Sequence, residues 1–264
     1  MNPGRTLVLQ SIAGRRAVAI MAALLFVALS GAFVGADDTV VVGAFSRAVE
    51  GSLPQGWKPE IFKKRKAVKL TEYRVVRDGG TTVVRAESVG TASGIEHEIP
   101  VDLNTYPVLR WRWKIDHVVV SGDPHRKDKD DYAARVYVTF GFEPDKASFG
   151  ERLRYRTTRA LFSNVPFAAI SYIWASRTPV GTVIASPHMG DIVKLIVVEN
   201  GDARVGEWMA EERNVYEDYR RVFGKEPPRV SGVAIMTDTD NTQERAAAYY
   251  GDLTFAKGPL GGVR

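Results

Sequence analysis

Hydrophobic and polar positions alternate with a period of two in several parts of the chain. In residues 108–115 the apolar side chains are Trp111, Trp113 and Ile115, and the basic ones are Arg110, Arg112 and Lys114. Residues 134–142 alternate in the same way. A period of two sends successive side chains to opposite faces of a strand. Both segments are therefore predicted to be strands that bury one face.

The other strand-like segments are short runs rich in β-branched residues. They are residues 40–42, 68–76, 81–88, 168–174, 192–199, 230–237 and 248–255. Asp78, Gly79 and Gly80 separate two of these runs and are typical of a hairpin turn. Many short strands separated by Gly, Pro, Asp and Asn predict an all-β fold, an antiparallel β-sandwich or jelly roll.

One helix is predicted, near the C-terminal third of the chain. Asn214 is a suitable N-cap with Glu217 three residues later, and Val215, Tyr219 and Val222 form an apolar stripe. Gly224 follows as the expected stop. Because no interdomain linker interrupts the pattern, residues 37–264 are predicted to form a single β-sandwich domain.

Residues 1–36 have the pattern of an export signal. Basic residues precede an apolar run over residues 17–29, and small residues ending in Val34 and Ala36 provide a cleavage site before Asp37. The alternative is an uncleaved membrane anchor, since residues 17–34 are just long enough to span a bilayer. We favour cleavage, which predicts a periplasmic or secreted protein without a stable membrane span.

Export changes the charge balance. The full chain carries 36 Lys and Arg against 31 Asp and Glu, a formal charge of +5. Removing residues 1–36 takes away three arginines and no acid, which leaves +2. A nearly balanced surface argues against nucleic-acid binding. The absence of cysteine excludes disulfides, thiolate catalysis and cysteine-ligated metals.

Three charged residues are candidates for a ligand site. Asp131 lies in a charged loop directly before the strand that carries Arg135, and Asp238 ends another buried strand. Arg135 can grip a ligand carboxylate or form a buried ion pair with Asp131, and the sequence leaves both open. The acidic segments also suggest calcium ligands, but the glycine and distal glutamate of an EF-hand loop are missing. We predict no metal and no cofactor.

Aromatic side chains are the usual platform for sugar rings. Tyr172 and Trp174 face the same way and lie just before a loop, so we select them as the stacking platform. Trp111 and Trp113 share a face with Ile115 and are expected to pack in the core.

Catalytic motifs are missing from the sequence. The four histidines have no metal-ligand spacing, and no nucleophile elbow, phosphate loop or dinucleotide fingerprint occurs. His188 is the one histidine that we select as a possible acid or base. The pattern therefore favours a binding protein over an enzyme.

Several segments together resemble a known bacterial family. They are GxLPxGW at 51–57, ASG at 92–94, WRWK at 111–114, DDYAARVYVTF at 130–140, YIWA at 172–175, ERNVYEDYRRVFG at 212–224, MTDTDNT at 236–242 and YYGDLTF at 249–255. In this order they resemble the family called domain of unknown function 3047. The resemblance implies exported β-sandwich proteins and carries no catalytic residues. The last segment also resembles the final strand of galactose-binding-like jelly rolls.

The sequence therefore predicts an exported β-sandwich that binds a glycan or another component of the cell envelope. The expected site combines Arg135, Asp131, Tyr172, Trp174 and Asp238. Two alternatives are a jelly-roll glycan lyase or hydrolase, and a structural or assembly partner in the periplasm, because a sandwich fold does not determine function.

Overall fold

The computed structural model describes residues 38–60, 69–145, 147–161 and 166–258, with the backbone alone for 158–161. The predicted export signal over residues 1–36 lies outside these ranges. Within them, no helix is both long and apolar enough to cross a bilayer.

Fourteen strands form two seven-stranded sheets among the described residues. The first, sheet A, contains β1 (Thr39–Gly43), β3 (Glu72–Asp78), β4 (Thr81–Val89), β6 (Val108–Ile115), β11 (Met209–Asn214), β13 (Arg245–Tyr250) and β14 (Leu253–Ala256). Its strand order is β1-β14-β6-β13-β4-β3, and β11 pairs with β6. All of its pairings are antiparallel.

The second sheet, sheet B, contains β2 (Lys58–Glu60), β5 (Ala92–Val101), β7 (Arg135–Phe140), β8 (Ala168–Ala175), β9 (Val183–Ser186), β10 (Gly190–Asn200) and β12 (Val230–Asp238). Its order is β2-β5-β12-β7-β8-β10-β9. The pair β8 and β10 is parallel, and the other pairs are antiparallel. The prediction of an all-β sandwich or jelly roll is confirmed.

The core contains the apolar side of both alternating strands. Trp113 and Ile115 of β6 and Val136 and Val138 of β7 are fully buried. The basic residues of β6 are half-buried on the opposite side of sheet A. Burial of this apolar area is the main stabilising contribution to such a fold.

Two segments of the chain are helical, one predicted and one not. In α2 (Val215–Phe223) the Asn214 side chain accepts a hydrogen bond from the Glu217 N–H, and Gly224 ends the helix in the left-handed conformation, as the sequence predicts. The additional helix, α1 (Phe149–Leu161), contacts the core through Tyr155. Phe149 and Leu153 of α1 point to solvent, so its apolar pattern gave no helical signal.

The predicted strand over residues 248–255 is two strands. β13 ends at Tyr250, and β14 begins at Leu253 after Gly251 and Asp252. Both strands pair with β6, and the Asp252 carboxylate between them accepts hydrogen bonds from the Ser46 backbone N–H and hydroxyl. The predicted hairpin is confirmed, because Gly79 and Gly80 both adopt positive φ between β3 and β4.

Candidate functional site

Arg135 and Asp238 meet on the side of sheet B that faces away from the main core. Arg135 opens β7, Asp238 closes the neighbouring β12, and the register pairs Arg135 with Met236. The Arg135 Nε donates to Asp238 Oδ1 at 2.9 Å, and Nη2 donates to Asp238 Oδ2. The two residues are only 3% and 2% exposed. The ion pair is therefore closed to a large ligand.

Other groups accept hydrogen bonds from the Arg135 guanidinium or pack against it. Nη2 also donates to the Asp130 carbonyl, and Nη1 donates to the Tyr137 hydroxyl at 3.1 Å. The Tyr132 ring lies 4.2 Å from the guanidinium carbon. Because its donors are used inside the protein, Arg135 does not serve as a free clamp for a ligand carboxylate, and its acidic partner is Asp238 rather than the expected Asp131.

Burial raises the pKa values of two acids in this cluster. It raises the pKa of Asp238 well above the usual range, with Asp131 and Asp130 adding to the shift and Arg135 opposing it. Burial also raises the pKa of Asp130, whose Oδ1 lies 3.7 Å from Arg135 Nη1. The cluster holds several acids around one guanidinium in a poorly solvated space.

Asp131 serves a different purpose, because it fixes the loop after β12. Its carboxylate accepts hydrogen bonds from the Asn241 N–H and side-chain amide, and from the Thr242 N–H and hydroxyl. Oxygens of Asp131, Asp238 and Asp240 lie within 4.8 Å of one another, a spacing that a cation can use. Since Asp131 and Asp238 already accept protein hydrogen bonds, the geometry is that of a loop anchor.

Tyr172 and Trp174 lie in the core, and the prediction that they form an exposed stacking platform is wrong. They are 0% and 1% exposed. The Tyr172 hydroxyl donates to Asp218 Oδ2 at 2.9 Å, and Trp174 Nε1 donates to the Gly201 carbonyl at 3.0 Å. All eight residues of β8 are buried, so alternation showed that the two rings share a side but not that this side faces inward.

His188 lies at the edge of the Arg135 cluster. Its Nε2 is 3.7 Å from Asp130 Oδ2, and its side chain is 31% exposed. This arrangement places a solvent-accessible imidazole beside a buried carboxylate, two groups of the types used as general acid and base. Of the five predicted site residues, the structure thus brings together Arg135, Asp131 and Asp238, while Tyr172 and Trp174 lie elsewhere.

A second group of residues lies on the outer face of sheet A, and we call it the Trp208 surface. It consists of Arg112 and Lys114 of β6, Trp208 directly before β11, and Tyr249 of β13. The four residues are half-buried, which leaves part of each exposed. Tyr249 pairs with Lys114 in the sheet register, so their side chains are adjacent.

Cation–aromatic contacts organise the Trp208 surface. The Arg112 guanidinium carbon lies 4.6 Å from the centre of the Trp208 ring, and Lys114 Nζ lies 5.3 Å from it. Lys114 Nζ is also 4.3 Å from the Tyr249 ring centre. Contacts of this kind hold the rings in place while leaving area for a ligand.

Asp78 fixes the edge of the same surface. Trp208 Nε1 donates to Asp78 Oδ2 at 2.8 Å, and Lys114 Nζ donates to Asp78 Oδ1 at 3.0 Å. The hydrogen bond from Lys114, helped by that from Trp208, lowers the pKa of Asp78. The orientation of the Trp208 ring is therefore set by the hairpin between β3 and β4.

The sequence contained part of the signal for this surface. In β6 the basic residues occupy the alternate positions that face outward, so the sequence predicted that they lie on one surface. Neither β11 nor the loop before it has a pattern that places Trp208 next to these basic residues. Two segments of the family resemblance, WRWK and YYGDLTF, run side by side in sheet A and contribute Arg112, Lys114 and Tyr249.

The solved structures that match the chain do so at low sequence identity and with low TM-scores. A glycoside hydrolase domain, Endo-D, from Streptococcus pneumoniae R6 matches with a TM-score of 0.32 and 11% identity, covering 77% of this chain and 22% of that chain. A family 29 carbohydrate-binding module complexed with mannohexaose matches at 0.36 and 8%, covering 83% and 92%. Endoglucanase 3 of family GH12 from Trichoderma harzianum matches at 0.39 and 9%, covering 85% and 99%.

Sequence comparison gives a clearer result. No curated protein matches the chain. The family described as "Protein of unknown function (DUF3047)" matches residues 55–254, which confirms the resemblance seen in the motifs. The chain belongs to the DUF3047 family.

Proposed function

We propose that the protein is an exported binding protein that holds a glycan of the cell envelope on the Trp208 surface. The observation that carries this proposal is the pair of half-buried rings, Trp208 and Tyr249, fixed beside Arg112 and Lys114 on the outer face of sheet A. Aromatic rings offer apolar faces to the C–H groups of sugars, and the adjacent cations offer hydrogen-bond donors to hydroxyl groups.

The open geometry favours binding of a chain rather than of a small enclosed molecule. Both rings stand on sheet strands or beside them, and Asp78 fixes the Trp208 indole. Rings held in place before binding lose little conformational entropy when a ligand arrives. A rigid pair of adjacent rings supports contact with a short stretch of a glycan.

The experiment compares glycan affinity before and after removal of the rings. The mature chain is screened on a glycan array, and the best ligand is measured by calorimetry with Trp208→Ala and Tyr249→Ala. We expect each variant to lose about tenfold or more in affinity. Tyr216→Ala, which removes a half-exposed ring from α2, is the matched control and is expected to bind normally. Unchanged affinity in both surface variants would overturn the proposal.

Export is the second element of this proposal, supported by the basic, apolar and small-residue pattern of residues 1–36. Expression in a Gram-negative bacterium is expected to deliver a periplasmic protein whose N-terminus, read by mass spectrometry, is Asp37. Retention of residues 1–36 on a membrane-associated protein would support the anchor alternative instead.

A second candidate function, glycan cleavage by a lyase or hydrolase, is favoured by one observation. His188 Nε2 lies 3.7 Å from the Asp130 carboxylate, and burial raises the pKa of that acid. Release of new reducing ends from a glycan, abolished by His188→Ala and Asp130→Asn but retained in Trp208→Ala, would establish it as an activity of the Arg135 side of sheet B. Binding without cleavage would leave the first function standing.

A further inference from the structure

Arg112 differs in its charge environment from three other basic residues on the outer face of sheet A. Arg110 is paired with Glu212 at 2.8 Å, Lys114 with Asp78 at 2.9 Å, and Arg85 with Glu87 at 2.5 Å. Across the described parts of the chain, no carboxylate forms an ion pair or a hydrogen bond with the Arg112 guanidinium. Arg112 is thus a cation on this face whose charge no acid in the described part of the chain neutralises through an ion pair.

The nearest acid is already occupied. Arg112 is close enough to Asp78 to help lower its pKa, but Lys114 and Trp208 donate the hydrogen bonds to that carboxylate. The Arg112 guanidinium therefore retains donors that an incoming anion can use. A planar guanidinium binds a carboxylate or sulfate through two parallel hydrogen bonds, which a neutral hydroxyl group does not match.

Gly251 determines the path of the Arg112 side chain. A Cβ atom at Gly251 would overlap Arg112 Cγ and stand 2.5 Å from Arg112 Nε, so the side chain crosses the sheet directly over this glycine. Gly251 does not have a positive φ, and its N–H donates to the Arg112 carbonyl at 2.8 Å. The glycine is therefore required for space rather than for backbone conformation, and it lets the guanidinium reach Trp208.

We infer that the Trp208 surface selects acidic sugars, with Arg112 binding a carboxylate or sulfate group of the glycan while Trp208 and Tyr249 contact the sugar rings. This inference rests on the proposed function and specifies its ligand class. The guanidinium lies over the Trp208 ring, 4.6 Å from its centre, so an acid bound to the guanidinium lies beside the part of the ring that the cation leaves uncovered for a sugar. The half-buried setting strengthens the charge interaction relative to open water.

The test uses pairs of polysaccharides that share one backbone and differ in charge. Polygalacturonate is compared with its full methyl ester, and dextran sulfate with dextran, by calorimetry on the mature chain at two salt concentrations. We expect the acidic member of at least one pair to bind about tenfold more tightly than the neutral one, and the difference to shrink at high salt. The pair that shows the difference identifies the anion as carboxylate or sulfate.

Two variants connect the preference to Arg112. Arg112→Gln and Gly251→Ala, the second of which displaces the Arg112 side chain, are both expected to remove the preference for the acidic member. Arg110→Gln is the matched control, because Arg110 lies on the same strand and face but is paired with Glu212, and it is expected to keep the preference. Thermal unfolding of each variant confirms that it is folded.

The outcomes separate the two proposals. Equal binding of acidic and neutral members, or a preference that survives Arg112→Gln, overturns the acidic class and leaves glycan binding intact. A lack of binding to all four polysaccharides and to the glycan array overturns both.

Discussion

The Arg135 guanidinium and the Asp238 carboxylate form a buried two-point ion pair between β7 and β12. Removing one partner of such a pair leaves the other buried without its counter-charge and its hydrogen bonds. We therefore expect Arg135→Met to lower the free energy of unfolding by about 3–5 kcal/mol, measured by urea denaturation. Arg135→Met combined with Asp238→Leu removes both charges and is expected to recover part of this loss.

An exposed ion pair provides the control for that measurement. The side chains of Arg126 and Asp128 are 55% and 65% exposed, and Arg126→Met is expected to leave the free energy of unfolding near the wild-type value. A wild-type stability for Arg135→Met itself would contradict the structural role of the Arg135–Asp238 pair.

Trp174 and Trp208 are predicted to respond to substitution in opposite ways. Trp174 is buried against Trp113, with ring centres 6.0 Å apart, so Trp174→Ala is expected to cost about 3–5 kcal/mol in stability. Trp208 is half-buried at the surface, so Trp208→Ala is expected to lose glycan affinity with a smaller loss of stability. Thermal unfolding and glycan calorimetry on the same samples measure both effects.

The milder Trp174→Phe variant keeps the comparison valid if Trp174→Ala does not fold. It is expected to bind glycan as the wild type does at temperatures below its unfolding. Loss of binding in folded Trp174→Phe together with normal binding in Trp208→Ala would reverse the assignment of the two tryptophans.

Strands with a clean period of two were predictable from the sequence, because their two faces have different environments. β6 and β7 are of this kind. The edge strand β11 has the sequence MAEERN, and its residues alternate between half-buried and exposed. Because it is rich in charged residues and has few apolar ones, the sequence did not predict it as a strand. α1 turns Phe149 and Leu153 to solvent, which removes the amphipathic pattern by which helices are recognised.

The candidate sites, like the strands, were predictable from the sequence only in part. The proximity of Arg135 and Asp238 was expected from residue type and strand position, although their burial was not. In β8 both faces are covered, so the periodicity of Tyr172 and Trp174 carried no information about which side is solvated. Trp208 depends on how the loop after β10 crosses to sheet A, a long-range contact that no local pattern encodes.

The N-terminal cap of α2 is predicted to contribute to stability through one hydrogen bond. The Asn214 side-chain oxygen accepts from the Glu217 N–H at 3.0 Å. Asn214→Ala is expected to lower the free energy of unfolding by about 1 kcal/mol, whereas Asn214→Asp keeps the acceptor and is expected to have little effect. Equal destabilisation by both substitutions, measured by urea denaturation, would show that the cap is not the cause.

Glu211 is predicted to make stability depend on pH. It lies on β11, where its carboxylate accepts a hydrogen bond from Trp113 Nε1 at 3.1 Å. Burial, together with the nearby Glu199, raises the pKa of Glu211 from about 4.5 to about 7. The folded state therefore binds this proton more tightly than the unfolded state does. Its stabilising contribution is complete below about pH 4.5 and is lost as the pH rises through about 7.

The Glu211→Gln variant isolates this contribution, because it keeps a neutral acceptor for Trp113 at every pH. A full shift of this size corresponds to about 3 kcal/mol, and partial solvent exposure reduces the expected effect to about 1–2 kcal/mol. Between pH 5 and pH 8, the stability of Glu211→Gln relative to the wild type should rise by that amount in urea denaturation. Asp130 and Asp238 also have raised pKa values, but Glu211 is not among the causes of their shifts, so they affect both proteins and cancel in the difference. Glu199 interacts with Glu211, so its titration is part of the measured difference. The exposed Glu207→Gln is the control, and a pH-independent difference for Glu211→Gln would show that its carboxylate is ionised in the folded protein throughout this range.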